Sequence, residues 1–209
     1  MSELDRLPRR GLLRIGGTTA AAAVLLAACT ETGDDDAGTD ERQRPSRADR
    51  EILRTASSLD ELAVVLYETI LDSGIVTTTA VGDTLELFRR HHREHARLFA
   101  AATADAGGEP FTEPNPVVRQ QLQPALDAIA DEAAALALAL DIERVLAETY
   151  QSFVGAFTDR SFDVATMSVG GTEARHAAVL APFIGRPSAP DAFQPTGEAI
   201  PSGTGLPAA

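Results

Sequence analysis

The sequence contains no lysine, no tryptophan and a single cysteine, Cys29. One thiol can form no internal disulfide and cannot build a thiolate-type structural zinc site. All 18 basic residues are arginines, set against 31 acidic ones for a net charge of −13. Phosphate binding needs a basic face, so no nucleic-acid partner is expected. Aromatic residues are scarce, and only two are tyrosines, Tyr67 and Tyr150. Between Ser46 and Gly185 the strand-type alternation of apolar and polar residues is missing. So are a nucleophile-elbow serine, a phosphate-cradling glycine loop and a His-Glu-x-x-His pattern, which leaves hydrolase and phosphotransferase readings without support.

The N-terminal region reads as an address. Arg9 and Arg10, followed by Gly11-Leu12-Leu13-Arg14, precede an apolar run from Thr18 to Ala28. That run is too short to cross a bilayer as an ordinary membrane helix. A basic start, a short apolar stretch and small residues before a break are the features of an export signal. The paired arginines resemble a twin-arginine signal. Leu26-Ala27-Ala28-Cys29 resembles a lipobox, in which Cys29 becomes the lipidated first residue of the mature chain. Residues 1–28 are therefore expected to be a signal peptide. Cys29 is expected to hold the exported protein by lipid on the outer face of the cytoplasmic membrane. Residues 29–45 lack apolar periodicity and are expected to form a disordered tether. Export in the folded state, as the twin-arginine route implies, would let a metal site be filled beforehand.

Residues 46–185 are rich in Ala, Leu, Glu and Arg, which favour helix. Four long helices are expected: Ser46 to about Asp72, Thr79 to Ala106, one ending near Thr158, and Phe162 to Ile184. A short helix over Val117–Gln123 is expected to be broken or kinked at Pro124. The link between the second and third long helices is the longest, as a crossover requires. The pattern is that of an all-α, up-down four-helix bundle. Residues 186–209, with several prolines and glycines, form an expected extended tail, tacked down by Phe193 and Ile200.

On the fourth long helix, Val169, Glu173, His176, Leu180 and Phe183 lie on one face at steps of four and three. A carboxylate and an imidazole inside an apolar seam are costly to bury unless paired or metal-bound. The second helix repeats the rhythm as Leu85, Phe88, His92, His95 and Phe99. On the third, Glu143 is the only charged member of the seam Leu136, Leu140, Glu143, Ala147, Tyr150, Val154 and Phe157. On the first, Asp60 precedes Tyr67 by seven positions, as Glu143 precedes Tyr150. Asp60 to Glu143 is 83 positions and His92 to Glu173 is 81, so the first helix pair is a degenerate copy of the second. The two tyrosines read as core residues hydrogen-bonded to a carboxylate. His91 and Glu94, beside the seam, read as surface groups or neighbours of the site; Glu68 and Glu148 read as solvated.

Together the halves offer Asp60, His92, His95, Glu143, Glu173 and His176 as metal ligands. Carboxylates and imidazoles suit iron, manganese or zinc. The pattern resembles the ferritin-like superfamily, and within it the exported actinobacterial ferritin-like domain proteins. Those carry a His-His-x-x-His-Ala second helix and a Glu-x-x-His-Ala fourth. The resemblance implies a buried centre for one or two transition-metal ions, serving storage, buffering or oxygen and peroxide chemistry. It departs in two places: His92 stands where dimetal members have a bridging glutamate, and Asp60 where glutamate is usual. Whether the centre is an enzyme's stays open, as does a metal-free binding or scaffold module at the cell surface. A large cage does not suit a tethered chain, and a homodimer remains open.

Overall fold

The computed structural model describes residues 45–207. The expected signal peptide, Arg9, Arg10, Cys29 and nearly all of the tether lie outside the described residues. Five α-helices follow in order: α1 (Arg47–Asp72), α2 (Thr79–Asp105), α3 (Pro116–Asp127), α4 (Glu132–Phe153) and α5 (Ser161–Leu180). Among the described residues there is no strand, and no helix is long and apolar enough to cross a membrane.

Helix ends follow local chemistry. Ser46 and Asp49 form a reciprocal capping box at the start of α1. Asp49 also accepts from the backbone N–H groups of Thr158 (2.7 Å) and Asp159 (3.2 Å), tying this end to the α4–α5 turn. The Thr78 side chain does not cap α2; instead Glu132 of α4 accepts from the N–H groups of Thr77 (2.7 Å) and Thr78 (2.8 Å). Asn115 and Asp131 cap α3 and α4 with their side chains.

α1 packs along α2, and α4 along α5; the pairs meet where α1 touches α4 and α2 touches α5. The core between them is built of Leu53, Leu59, Leu66, Ile70, Leu85, Phe99, Leu140 and Leu180. The crossover between the pairs carries α3. It is pinned to the middle of α1 by Asn115, whose backbone N–H donates to the Ser58 carbonyl (2.9 Å) and whose side chain donates to Ser58 Oγ (3.0 Å).

The structure corrects four local expectations. α3 runs through Pro124 to Asp127. Gln120 and Pro124 are exposed, so the carbonyl that Pro124 leaves unbonded can meet water. α4 stops at Phe153, where Val154 turns extended and Gly155 takes φ +86°. The fourth long helix ends at Leu180; residues 181–184, containing Pro182, form a 3-10 turn that leaves Phe183 out of the seam and 43% exposed. Phe193 does not tack the tail down, being 88% exposed. The tail is held by its backbone instead: Glu198, Ile200 and Gly203 donate N–H groups to Glu148, Thr149 and Thr55. Ile200 packs against the core as expected.

Candidate metal centre

The four long helices each bring their polar seam residues to one point: Asp60 from α1, His92 and His95 from α2, Glu143 from α4, Glu173 and His176 from α5. Asp60, His92, Glu143 and Glu173 are wholly buried. His176 is nearly so, and the His95 side chain is 14% exposed. The ligand atoms form two groups, each with all members within 4.8 Å of one another. One group is Asp60, His92, His95 and Glu173; the other is Glu143, His92, His176 and Glu173. His92 and Glu173 belong to both. The centre thus has two half-sites, each with its own carboxylate and imidazole.

Local sequence explains the convergence. Seven residues are two helical turns, so Asp60 and Tyr67 share a face of α1, as Glu143 and Tyr150 share one of α4. The tyrosines then cross over: the Tyr67 hydroxyl donates to Glu143 Oε1, and the Tyr150 hydroxyl to Asp60 Oδ2. Burial and the adjoining carboxylates hold both phenols well above their usual range, so they remain proton donors. Gly170 lets α5 approach α4, since a Cβ there would stand 2.9 Å from Tyr150 Cβ.

His92 sits between the half-sites. Its Nδ1 is 2.9 Å from Asp60 Oδ1 and its Nε2 3.0 Å from Glu143 Oε1. Its ring stacks on Tyr67. Burial pushes His92 toward neutrality, but Glu173, Glu143 and Asp60 outweigh it and hold the imidazole well above its ordinary range. The same contest, between burial and the carboxylates, raises His176 and puts His95 at about 9. Asp60 and Glu143 are held below the usual carboxylate range: burial opposes ionisation, and their histidine partners prevail. Three carboxylates facing three imidazoles are neutral as a set when the imidazoles are protonated.

Glu173 is different. His95 Nδ1 lies 2.8 Å from its Oε1 and His176 Nδ1 lies 2.9 Å from its Oε2. Neither approach has the alignment of a hydrogen bond. Both Glu173 oxygens and His95 Nδ1 are buried without a hydrogen-bond partner. Buried polar atoms are rarely left so, and an ion is one of the standard reasons. The donor set is hard oxygen and imidazole nitrogen, which suits divalent iron, manganese or zinc. The residues therefore fit one or two such ions, with Glu173 placed to serve both half-sites.

The neighbours fall less evenly. Glu61 is half-buried and outside both groups, and Glu94 is exposed. Glu68 pairs on the surface with Arg89 and Arg93, each at 2.9 Å. Glu148 is not solvated as expected; it is 7% exposed because the tail covers it. His91 has a partner that its place beside the seam did not disclose: its Nδ1 is 2.9 Å from His176 Nε2. Burial and the adjacent His176 hold His91 below the usual imidazole range. The only sequence signal for this contact was its position three residues after Phe88, whose ring also lies on His176.

Fold and site define a four-helix bundle with a carboxylate–imidazole centre in its core, built from two packed helix pairs. The model of the ferritin-like domain family matches residues 48–186, and the chain belongs to that family. It matches no curated protein and no solved structure.

Proposed function

We propose that the protein binds a divalent transition metal, iron, manganese or zinc, in its bundle core, in one or two positions sharing Glu173. The observation that carries this reading is the Glu173 carboxylate: fully buried, with no hydrogen bond, and faced on each oxygen by an imidazole of a different helix. The two imidazoles at 2.8 and 2.9 Å offset only part of the cost of burying this carboxylate, since neither is aligned to bond it, and an ion at that point would satisfy both oxygens. The protein's own groups do the rest. Tyr150 holds Asp60 Oδ2 and leaves Oδ1 to His92 and His95, while Tyr67 shares Glu143 Oε1 with His92 and leaves Oε2 to His176. The surrounding apolar core keeps bulk water away, and His95 is the most solvent-accessible of the six ligands. Bound iron or manganese would supply one-electron chemistry toward oxygen or peroxide; zinc would not. Storage, buffering and such chemistry all remain compatible with the site.

The bundle is also read as the outer domain of an envelope lipoprotein, exported through the Arg9-Arg10 signal and held by lipid on Cys29. What supports this is the coincidence of paired arginines, a short apolar run and the chain's one cysteine at the lipobox position. A homodimer is compatible with this arrangement.

One observation favours a second reading, a metal-free binding or scaffold module. Asp60, Glu143 and His92 satisfy one another through both ring nitrogens, and such a network can persist without an ion. Thermal melting separates the two readings. A ligand at 100 times its dissociation constant stabilises a fold by about 2.7 kcal/mol. Metal-stripped protein is therefore expected to melt several degrees higher on adding Fe(II) under anaerobic conditions, Mn(II) or Zn(II). An unchanged melting temperature with all three supports the scaffold instead.

A further inference from the structure

The two half-sites are not equivalent, and the difference lies outside the six ligands. On the α4/α5 side, His176 turns Nδ1 toward Glu143 Oε2 (3.2 Å) and Glu173 Oε2 (2.9 Å). Its other nitrogen, Nε2, is 2.9 Å from His91 Nδ1. Its ring is stacked on Phe88 with centroids 3.9 Å apart and planes 23° from parallel. The His91 ring lies nearly coplanar in tilt, 12° away, at 5.2 Å. α2 thus grips the imidazole of α5 by one face and by its far nitrogen.

The repeat gives His95 nothing of the kind. With the 81-residue offset that lays His92 on Glu173 and His95 on His176, Phe88 corresponds to Val169 and His91 to Thr172. Val169 has no ring to stack. The Thr172 hydroxyl donates to the Ser168 carbonyl (3.0 Å) and accepts from Arg175 (2.8 Å). Among the described residues no hydrogen bond orients the His95 ring, whereas two nitrogens orient that of His176.

A neutral histidine that offers the Nδ1 lone pair to an ion must carry its proton on Nε2. Fixing that tautomer and the ring's rotation before the ion arrives removes an ordering cost from binding. We propose that His91 is a positioning residue that accepts a hydrogen bond from His176 Nε2–H, making the Glu143–His176 position the tighter of two unequal ion positions and the first to fill. This rests on the metal-binding reading above. The bond is the same whether His176 Nδ1 bears a proton or faces an ion, so loading requires no rearrangement at His91.

The test titrates full-length, metal-stripped protein with Co(II) at fixed pH, followed by the d–d absorption of the bound ion. Wild type is expected to fill a tight first position ahead of a weaker second. His91→Phe keeps the ring but loses the acceptor, and is expected to weaken the first step about tenfold to a hundredfold, the range typical of groups that orient metal ligands. His91→Asn places an oxygen near the position of Nδ1 and is expected to stay within about threefold of wild type, with the second step unaffected in both. His95→Ala should retain the tight step and His176→Ala should lose it. An unchanged first step in His91→Phe, equal weakening of both steps, or an Asn variant as poor as Phe overturns the role of His91. Wild type that binds no Co(II) overturns the metal reading itself, and this inference with it. If His91→Phe does not fold, nitrogen NMR of the wild-type protein with Zn(II) decides: His176 protonated on Nε2 supports the proposal, and His176 protonated on Nδ1 overturns it.

Discussion

His95 Nδ1 and Glu173 Oε1 stand 2.8 Å apart inside the bundle and make no hydrogen bond. Two polar atoms that close, buried and unaligned, are held by the helices that carry them more than by each other. Phe88 and Phe99 of α2 and Val169 and Leu180 of α5 are buried in the core beside them. The core therefore defines the centre, and the centre's own atoms are left with unused bonding capacity.

Acid–base linkage gives the first expectation. His95 is raised from an ordinary 6.5 to about 9, and His92 and His176 are raised as well. A raised histidine contributes stability that is fully present below its unfolded value and is lost as pH climbs through its folded one. The shift at His95 alone corresponds to about 3 kcal/mol. Metal-stripped protein is thus expected to lose stability between about pH 6.5 and 9. At the acid end, the lowered carboxyls of Asp60 and Glu143 contribute stability above the usual carboxylate range, and it is lost as pH falls through their folded values. Urea melts of chelator-treated protein across this range check both limbs; a flat alkaline limb contradicts the charge balance described here.

The adjacent glycines of α5 should respond oppositely. A methyl at Gly170 meets Tyr150 Cβ at 2.9 Å, whereas one at Gly171 meets nothing within 4 Å. Gly171→Ala is expected to stabilise the fold by up to about 1 kcal/mol through helix propensity. Gly170→Ala is expected to destabilise it, because α4 and α5 must move apart. Matched denaturation curves suffice, and equal gains from both would mean that α5 does not rely on the close approach.

The crossed tyrosines make a paired expectation. Tyr150→Phe leaves the buried Asp60 Oδ2 without its side-chain donor, a loss of about 1–3 kcal/mol, whereas after Tyr67→Phe the Glu143 Oε1 keeps His92 Nε2 at 3.0 Å. The Tyr150→Phe loss should therefore be the larger of the two. Urea denaturation of the two variants measures them; a negligible loss in either would show that its hydrogen bond contributes little.

Membrane attachment is expected to depend on Cys29. Under the proposed lipoprotein reading, Cys29→Ala should shift the protein from the membrane fraction to the soluble one. Unaltered partition of the variant would argue against a lipid at that position.

Much of the site was legible because helical spacing encodes faces. Steps of three and four put Glu173 with His176 and His92 with His95, and the seven-residue interval tied each tyrosine to a carboxylate in sequence. The exchange of partners, Tyr67 to Glu143 and Tyr150 to Asp60, was not legible: it depends on how α1 and α4 face each other. The same holds for His91, whose bond to His176 is fixed by the rotation of α2 against α5. The covering of Glu148 follows from the path of an irregular tail, which has no periodicity to read. Phe183 left its seam because Pro182 changes the helix type, a switch whose local proline was visible but whose outcome was not.

The central claim, that the six side chains hold a transition metal, is tested most directly by metal content. Protein folded in cells and purified without chelator should carry close to one or two equivalents of iron, manganese or zinc. Glu173→Gln, nearly isosteric but uncharged, and His176→Ala should carry far less while remaining helical by circular dichroism. Wild type and both variants with the same negligible metal would contradict the account.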